Sequence, residues 1–189
     1  LGSHLDSQPT GGKFDGALGV IAGLEVMRSL NDLNIVTEAP IELVNWTDEE
    51  GSRFGHSLMG SGVWAGIYTQ EKAYSLRDVD GVSVGEALDQ IGYKGPHKAA
   101  PFPADAYFEL HIEQGPTLDA AGEQIGVVTD IVGYREMMVT LSGQQNHAGT
   151  TPMALRRDAF QGLSAFNTRL NDRLRNVVTP QSVWTIGHV

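Results

Sequence analysis

Three short stretches of the chain crowd together side chains that can hold a metal ion. The first, SHLDSQPTGGKFDG (residues 3–16), carries His4, Asp6 and Asp15. The second, Asp48, Glu49 and Glu50, follows directly on the apolar run IELVNW (41–46). The third holds His111 and Glu113 in AYFELHIE (106–113). The sequence has no cysteine, so a disulfide framework and a thiolate site are both excluded, and any metal here takes nitrogen and oxygen ligands. A dinuclear zinc-type centre needs neutral imidazoles, with carboxylates that bridge two ions and cancel part of their charge. His4, His111, Asp15 and Glu50 supply two of each. Asp6, two residues beyond His4, can approach from the same side of an extended backbone and accept the second ring N–H. Glu49 and Glu50 are neighbours, and neighbouring side chains on an extended or turn backbone diverge. One of them then ligates, while the other takes a proton from a metal-activated water. Spacing does not say which glutamate does which.

Each stretch also has a plainer reading. A His-x-Asp pair is common by chance, TDEEG suits a solvated loop or helix start, and His111 suits a hydrogen-bonded strand residue. His147 stands in a polar loop, and His56, His97 and His188 have no carboxylate company beyond chance.

The elements that would position these residues follow from periodicity. DGALGVIAGLEVMRSLNDLN, from Asp15, places Leu18, Ile21 and Leu24, and Val20, Leu24 and Met27, at helical spacings, with Asp15 where an N-cap or first-turn carboxylate is favoured. Residues 41–46 predict a buried strand, and the region 57–100 helices in pieces. KGPHKAAPFPAD reads as a loop, and 106–113 as a strand. Two further strands are expected near 124–131 and 134–142, a helix from Arg157 to Leu174, and a strand in SVWTIGHV at the end. This order predicts an α/β fold with helices flanking a mixed sheet, and a second α+β unit from residue 131. The last strand has barely begun at Val189, so a fragment is expected.

A hydrophobic content of 41% supplies a core, and no apolar run approaches the roughly 20 residues that span a bilayer. A net charge of −10 argues against nucleic acid and anionic membranes as partners. With no secretory signal in view, the expectation is a soluble cytoplasmic protein.

Four strings, GSHLDSQPTGGKFDG, NWTDEEGSRF, ELHIEQGPTL and QQNHAGTTPMALRRDA, resemble in content and order the zinc-dependent amidase/hydantoinase/carbamoylase family. That family includes N-carbamoyl-L-amino acid hydrolases, β-ureidopropionases and allantoate amidohydrolases, and is related to aminoacylase and carboxypeptidase G-type metallopeptidases. The resemblance marks the opening Gly-Ser-His as native sequence, although it looks like the remnant of a cleaved tag. It implies a di-metal hydrolase catalytic domain over 1–130, incomplete at both its N-terminal start and its C-terminal return segment, and part of an inserted lid or dimerisation domain over 131–189. It implies two divalent ions (zinc, or manganese or cobalt), with His4 and His111 on one, Asp15 bridging and Glu50 on the other. Glu49 becomes the general base, Asp6 the carboxylate orienting His4, and Gln114 a neighbour of the substrate. His147 becomes the lid residue that polarises the scissile carbonyl, often from the other subunit of a homodimer. The implied reaction hydrolyses linear amide or ureido C–N bonds: an N-carbamoyl-L-amino acid gives the amino acid, carbon dioxide and ammonia. Allantoate and β-ureidopropionate are the near rivals, and a non-catalytic relative is the alternative from another class. The family's last metal-binding His, and an Arg and an Asn that grip the substrate carboxylate, have no counterpart in these residues. The stretch alone is therefore expected to bind metal weakly and turn over little.

Overall fold

A computed structural model describes residues 1–189 and is mixed α/β. It divides into two compact units, Leu1–Val127 and Val128–Val189. In the first, β1 (Gly2–His4) and β2 (Val44–Trp46) pair in parallel, Gly2 with Val44 and His4 with Trp46. Between them in the chain runs α1 (Ala17–Asp32), which packs on β1. The apolar residues Met59, Val63, Ala73 and Val84 form a small core under α2 (Met59–Trp64), α3 (Gln70–Ser75) and α4 (Val84–Gln90), with Phe54, Tyr68, Tyr74, Leu76 and Leu88 packed against it. The α4 helix opens with a reciprocal capping box, Ser83 with Glu86. A short α5 covers Thr117–Ala121. The second unit holds a 3₁₀ turn (Met153–Leu155) and α6 (Ala159–Arg175), which Asp158 caps by accepting from Phe160 and Gln161 N–H.

Two helices lie where periodicity puts them, α1 two residues and α6 two residues inside their expected starts. The cap of α1 differs. Gly16, at φ 66°, occupies the N-cap with no side-chain bond, and Asp15 turns away from the helix end. The strand expected over 41–46 is confined to Val44–Trp46, and none forms at 106–113, 124–131, 134–142 or 182–189. Alternating apolar residues favour a strand only where a partner backbone takes up their N–H and C=O groups. Residues 106–113 have one such tie, Gly2 N–H to the Phe108 carbonyl at 3.2 Å. In the second unit Ile131, Val132 and Met138 stay exposed, as the side chains of an unpaired stretch must. The α5 helix was not expected. Glu113 caps it, both carboxylate oxygens accepting from the N–H groups of Thr117 and Leu118 at 2.9 Å, so this acid serves a helix end.

The approach of α1 to the extended segments depends on Gly19. A methyl group there would lie 2.4 Å from the Leu110 carbonyl oxygen and 2.7 Å from Ser3 Cβ. Gly19→Ala is expected to destabilise the protein by about 1–3 kcal/mol through this overpacking, read as a lower urea midpoint with unchanged slope.

Candidate metal centre

The first unit's acids and imidazoles of interest sit at or beyond the ends of β1 and β2, just before α1 and in segment 106–113. His4, the last residue of β1, is only 2% exposed. Its Nδ1 lies 2.9 Å from the backbone carbonyl of Asp6, and a carbonyl can only accept. In the neutral ring Nδ1 therefore carries the proton, and Nε2, with the lone pair, faces Glu49 Oε2, 3.5 Å away. His111 repeats the pattern: Nδ1 donates to the Ile112 carbonyl at 2.7 Å, and Nε2 faces Asp15 Oδ1 at 3.2 Å. That Asp15 oxygen has no hydrogen-bond partner, nor has Asp6 Oδ1, Asp48 Oδ2 or Glu50 Oε1, although all four are buried. Buried carboxylate oxygens that lack donors favour a cation among them.

Two sets of ligand atoms converge within 4.8 Å: His4, Asp15 and His111, and His4, Glu49 and Glu50. The donor set, imidazole nitrogens and carboxylate oxygens without sulfur, fits a zinc, manganese or cobalt ion. The adjacent glutamates do not diverge as an extended backbone would require. Asp48 at φ 51° and Gly51 at φ 67° bend the segment tightly, and both carboxylates reach the His4 side.

Neighbouring groups hold these acids in place. Asp6 orients His4 through its backbone carbonyl, with its carboxylate Oδ1 farther off at 3.5 Å. Its other oxygen accepts the N–H of Glu50 at 3.0 Å and so anchors the acidic turn. Gln8, for which the sequence offered no signal, donates to Glu50 Oε2 at 3.0 Å. Gln114, at φ 55°, donates its side-chain amide to Asp15 Oδ2 at 2.6 Å, so it steadies the expected bridging carboxylate directly. Glu109, also unforeseen, accepts from Ser3 Oγ at 2.6 Å and Tyr107 Oη at 2.9 Å, and Tyr107 accepts from Trp46 Nε1 at 2.9 Å. That chain ties segment 106–113 to both strands. A methyl group on Gly16 would lie 2.4 Å from the His4 ring, so the helix start can pass this close only as glycine.

Glu49 also lies on the wall of a largely apolar cavity of about 720 Å³, shared with Trp46, Trp64, Phe102 and Tyr107. Burial raises its carboxyl above the usual range; the nearby His4 opposes the rise, and Glu50, Asp6 and Glu109 add to it. Burial, with Asp6 alongside, pushes Asp48 up to about 6 against the pull of Arg53. His147 belongs to the second unit, where its ring is held within its own loop.

The description Peptidase family M20/M25/M40 matches residues 1–185, and the chain belongs to that family. The family is generally metal-dependent, and this chain carries the two candidate ligand groups described. Over its full length the chain is 52% identical to an N-carbamoyl-L-amino-acid amidohydrolase of Rhizobium meliloti, covering 44% of that protein. Over 86% of the chain it is 42% identical to an allantoate amidohydrolase of Bacillus subtilis, covering 40% of it. A crystal structure of an amidase of the hydantoinase/carbamoylase family from Burkholderia vietnamiensis matches 94% of this chain and 43% of its own, at 48% identity and a TM-score of 0.78. The chain thus spans under half the length of these relatives.

A cation bound among these acids stabilises the fold by mass action. Mn²⁺, Co²⁺ or Zn²⁺ at a hundred times its Kd is expected to add about 2.7 kcal/mol, read as a rise in Tm. Asp15→Asn, which removes a charged oxygen facing His111, is expected to abolish the rise.

Proposed function

We propose that this chain contributes the catalytic metal-binding part of an amidohydrolase that cleaves linear amide or ureido C–N bonds, with N-carbamoyl-L-amino acids as substrates. The observation that carries the reading is that Nε2 of His4 faces Glu49 and Nε2 of His111 faces Asp15, with unpartnered buried oxygens on Asp6, Asp15 and Glu50 beside them. The similarity to an N-carbamoyl-L-amino-acid amidohydrolase at 52% identity supports the choice of substrate.

In this reading His4 and His111 would hold one divalent ion and Glu50 a second, with Asp15 serving as a ligand to both. When bound, such ions polarise a carbonyl and bring a water's acidity close to neutrality. Glu49, at the cavity wall, takes the proton of the attacking water and passes it to the departing nitrogen. Its raised proton affinity suits both halves of that transfer. Asp6 keeps the His4 ring turned and, through the Glu50 N–H, fixes the acidic turn. Gln114 keeps Asp15 in place. His147 donates to the developing oxyanion, a contribution of a few kcal/mol for a well-placed donor. We assign that role to the partner subunit's copy in a homodimer, in a cytoplasmic enzyme, with 1–130 as catalytic domain and 131–189 as lid. For an N-carbamoyl amino acid the products are the free amino acid, carbon dioxide and ammonia.

The similarity to an allantoate amidohydrolase supports allantoate as the second substrate reading. Ammonia release by the protein expressed from its own gene, loaded with Mn²⁺, Co²⁺ or Zn²⁺, separates the candidates on a panel of N-carbamoyl-L-amino acids, β-ureidopropionate and allantoate. Turnover of allantoate alone would overturn the carbamoylase assignment. Glu49→Gln is expected to lower kcat by about 10²- to 10⁴-fold with metal content by elemental analysis nearly unchanged. An unaltered rate would instead mark a non-catalytic member of the family.

A further inference from the structure

The loop that carries His147 is closed on itself in the second unit by two sets of contacts. In the first, Nδ1 of the ring lies 3.0 Å from the Gly149 N–H and 3.1 Å from the Thr150 N–H. A backbone N–H can only donate, so Nδ1 holds the lone pair, and the proton of the neutral ring sits on Nε2. In the second, Arg156 Nη2 donates to the carbonyls of His147 at 3.1 Å, Ala148 at 2.9 Å and Thr151 at 3.0 Å. This nitrogen has two protons for three carbonyls, so one proton is shared, and the three peptide groups are gathered to one point. The Ala148 carbonyl is thereby turned toward the guanidinium, which points the N–H of the same peptide group, that of Gly149, the other way, to the ring.

The local sequence explains how Arg156 gets there. Pro152 opens the 3₁₀ turn Met153–Leu155, which brings the chain back on itself, and Asp158 then starts α6. Arg156 is partly buried while His147 and Ala148 are exposed. The guanidinium makes no ion pair here: all three of its acceptors are backbone carbonyls of the loop.

We infer that Arg156 is a positioning residue for His147, holding loop 147–151 so that the imidazole presents Nε2–H as a neutral hydrogen-bond donor. The inference deepens the reading proposed above, because an Nε2–H donor suits a carbonyl oxygen gaining negative charge. It also separates His147 from His4 and His111, whose Nε2 in the neutral ring carries a lone pair suited to a cation. A ring nitrogen that bears a proton cannot ligate.

The test is the long-range ¹H–¹⁵N spectrum of the histidine-labelled protein, expressed from its own gene, at neutral pH. The expected result is an Nε2–H tautomer for His147, replaced by a tautomer mixture in Arg156→Gln. In the same variant kcat is expected to fall on the order of a hundred-fold, as for a misplaced catalytic group, with metal content unchanged. An Nδ1–H tautomer in the unaltered protein overturns the inference, and so does an Arg156→Gln spectrum identical to it. The first of these needs no variant, so a misfolded Arg156→Gln does not shield the idea. Full turnover by His147→Ala would overturn the catalytic role given to His147 above, while the tautomer alone decides the inference about Arg156.

Discussion

The carbonyls of Asp6 and Ile112 each take the Nδ1 proton of a histidine, and this turns the lone pairs of His4 and His111 toward carboxylate oxygens. Much of the first unit can be understood from that opposition. Two like unit charges 4 Å apart repel by about 4 kcal/mol at an effective dielectric of 20. Here Asp6, Asp15, Glu49 and Glu50 gather beyond the ends of two short strands and at the start of α1, and Asp6, Asp15 and Glu50 each keep a buried oxygen without a donor. A chain that folded such a group with nothing to offset it would lose stability at every acid. A divalent cation adds an attraction to each acid that offsets this repulsion, so the site and the fold around it are coupled.

The supporting structure is directed at keeping three distant segments in register. Gly19 lets α1 lie against Ser3 and Leu110, and Gly16 lets the same helix begin beside the His4 ring. Glu109 ties Ser3 to Tyr107 and, through it, to Trp46. Asp6 reaches from the β1 loop to the Glu50 backbone, and Gln114 reaches from the third segment to Asp15. None of these contacts is large by itself. Together they fix donor positions far more tightly than two three-residue strands could.

One residue type is used here in two chemical senses. His4 and His111 meet carbonyl oxygens at Nδ1 and so expose a lone pair, whereas His147 meets N–H groups at Nδ1 and so exposes a proton. The difference lies in the backbone each ring faces, and no property of histidine alone decides it. In the second unit the backbone is arranged by Arg156, whose planar group can gather several carbonyls at once.

The ligand types, the absence of sulfur, the helices α1 and α6 and the family resemblance were all legible in the residues, because donor chemistry, helical periodicity and motif order are local properties. Strand 41–46 was legible only in part, and the strands expected at 106–113 and 124–142 were not realised, since a ladder depends on a partner that local alternation cannot supply. Asp15 shows the limit most clearly. Its position before a helix suggested a cap, yet the backbone of Gly16 turns its carboxylate to His111. Glu113 shows the converse, an acid beside a ligand histidine that caps α5 instead. Composition and spacing thus determined which atoms were available to bind a cation. Which of them meet was decided by tertiary structure, because Asp15 faces His111 and Gln114 across about a hundred residues of chain, whereas the bare nitrogen of each ligand histidine is set by a carbonyl only one or two residues along.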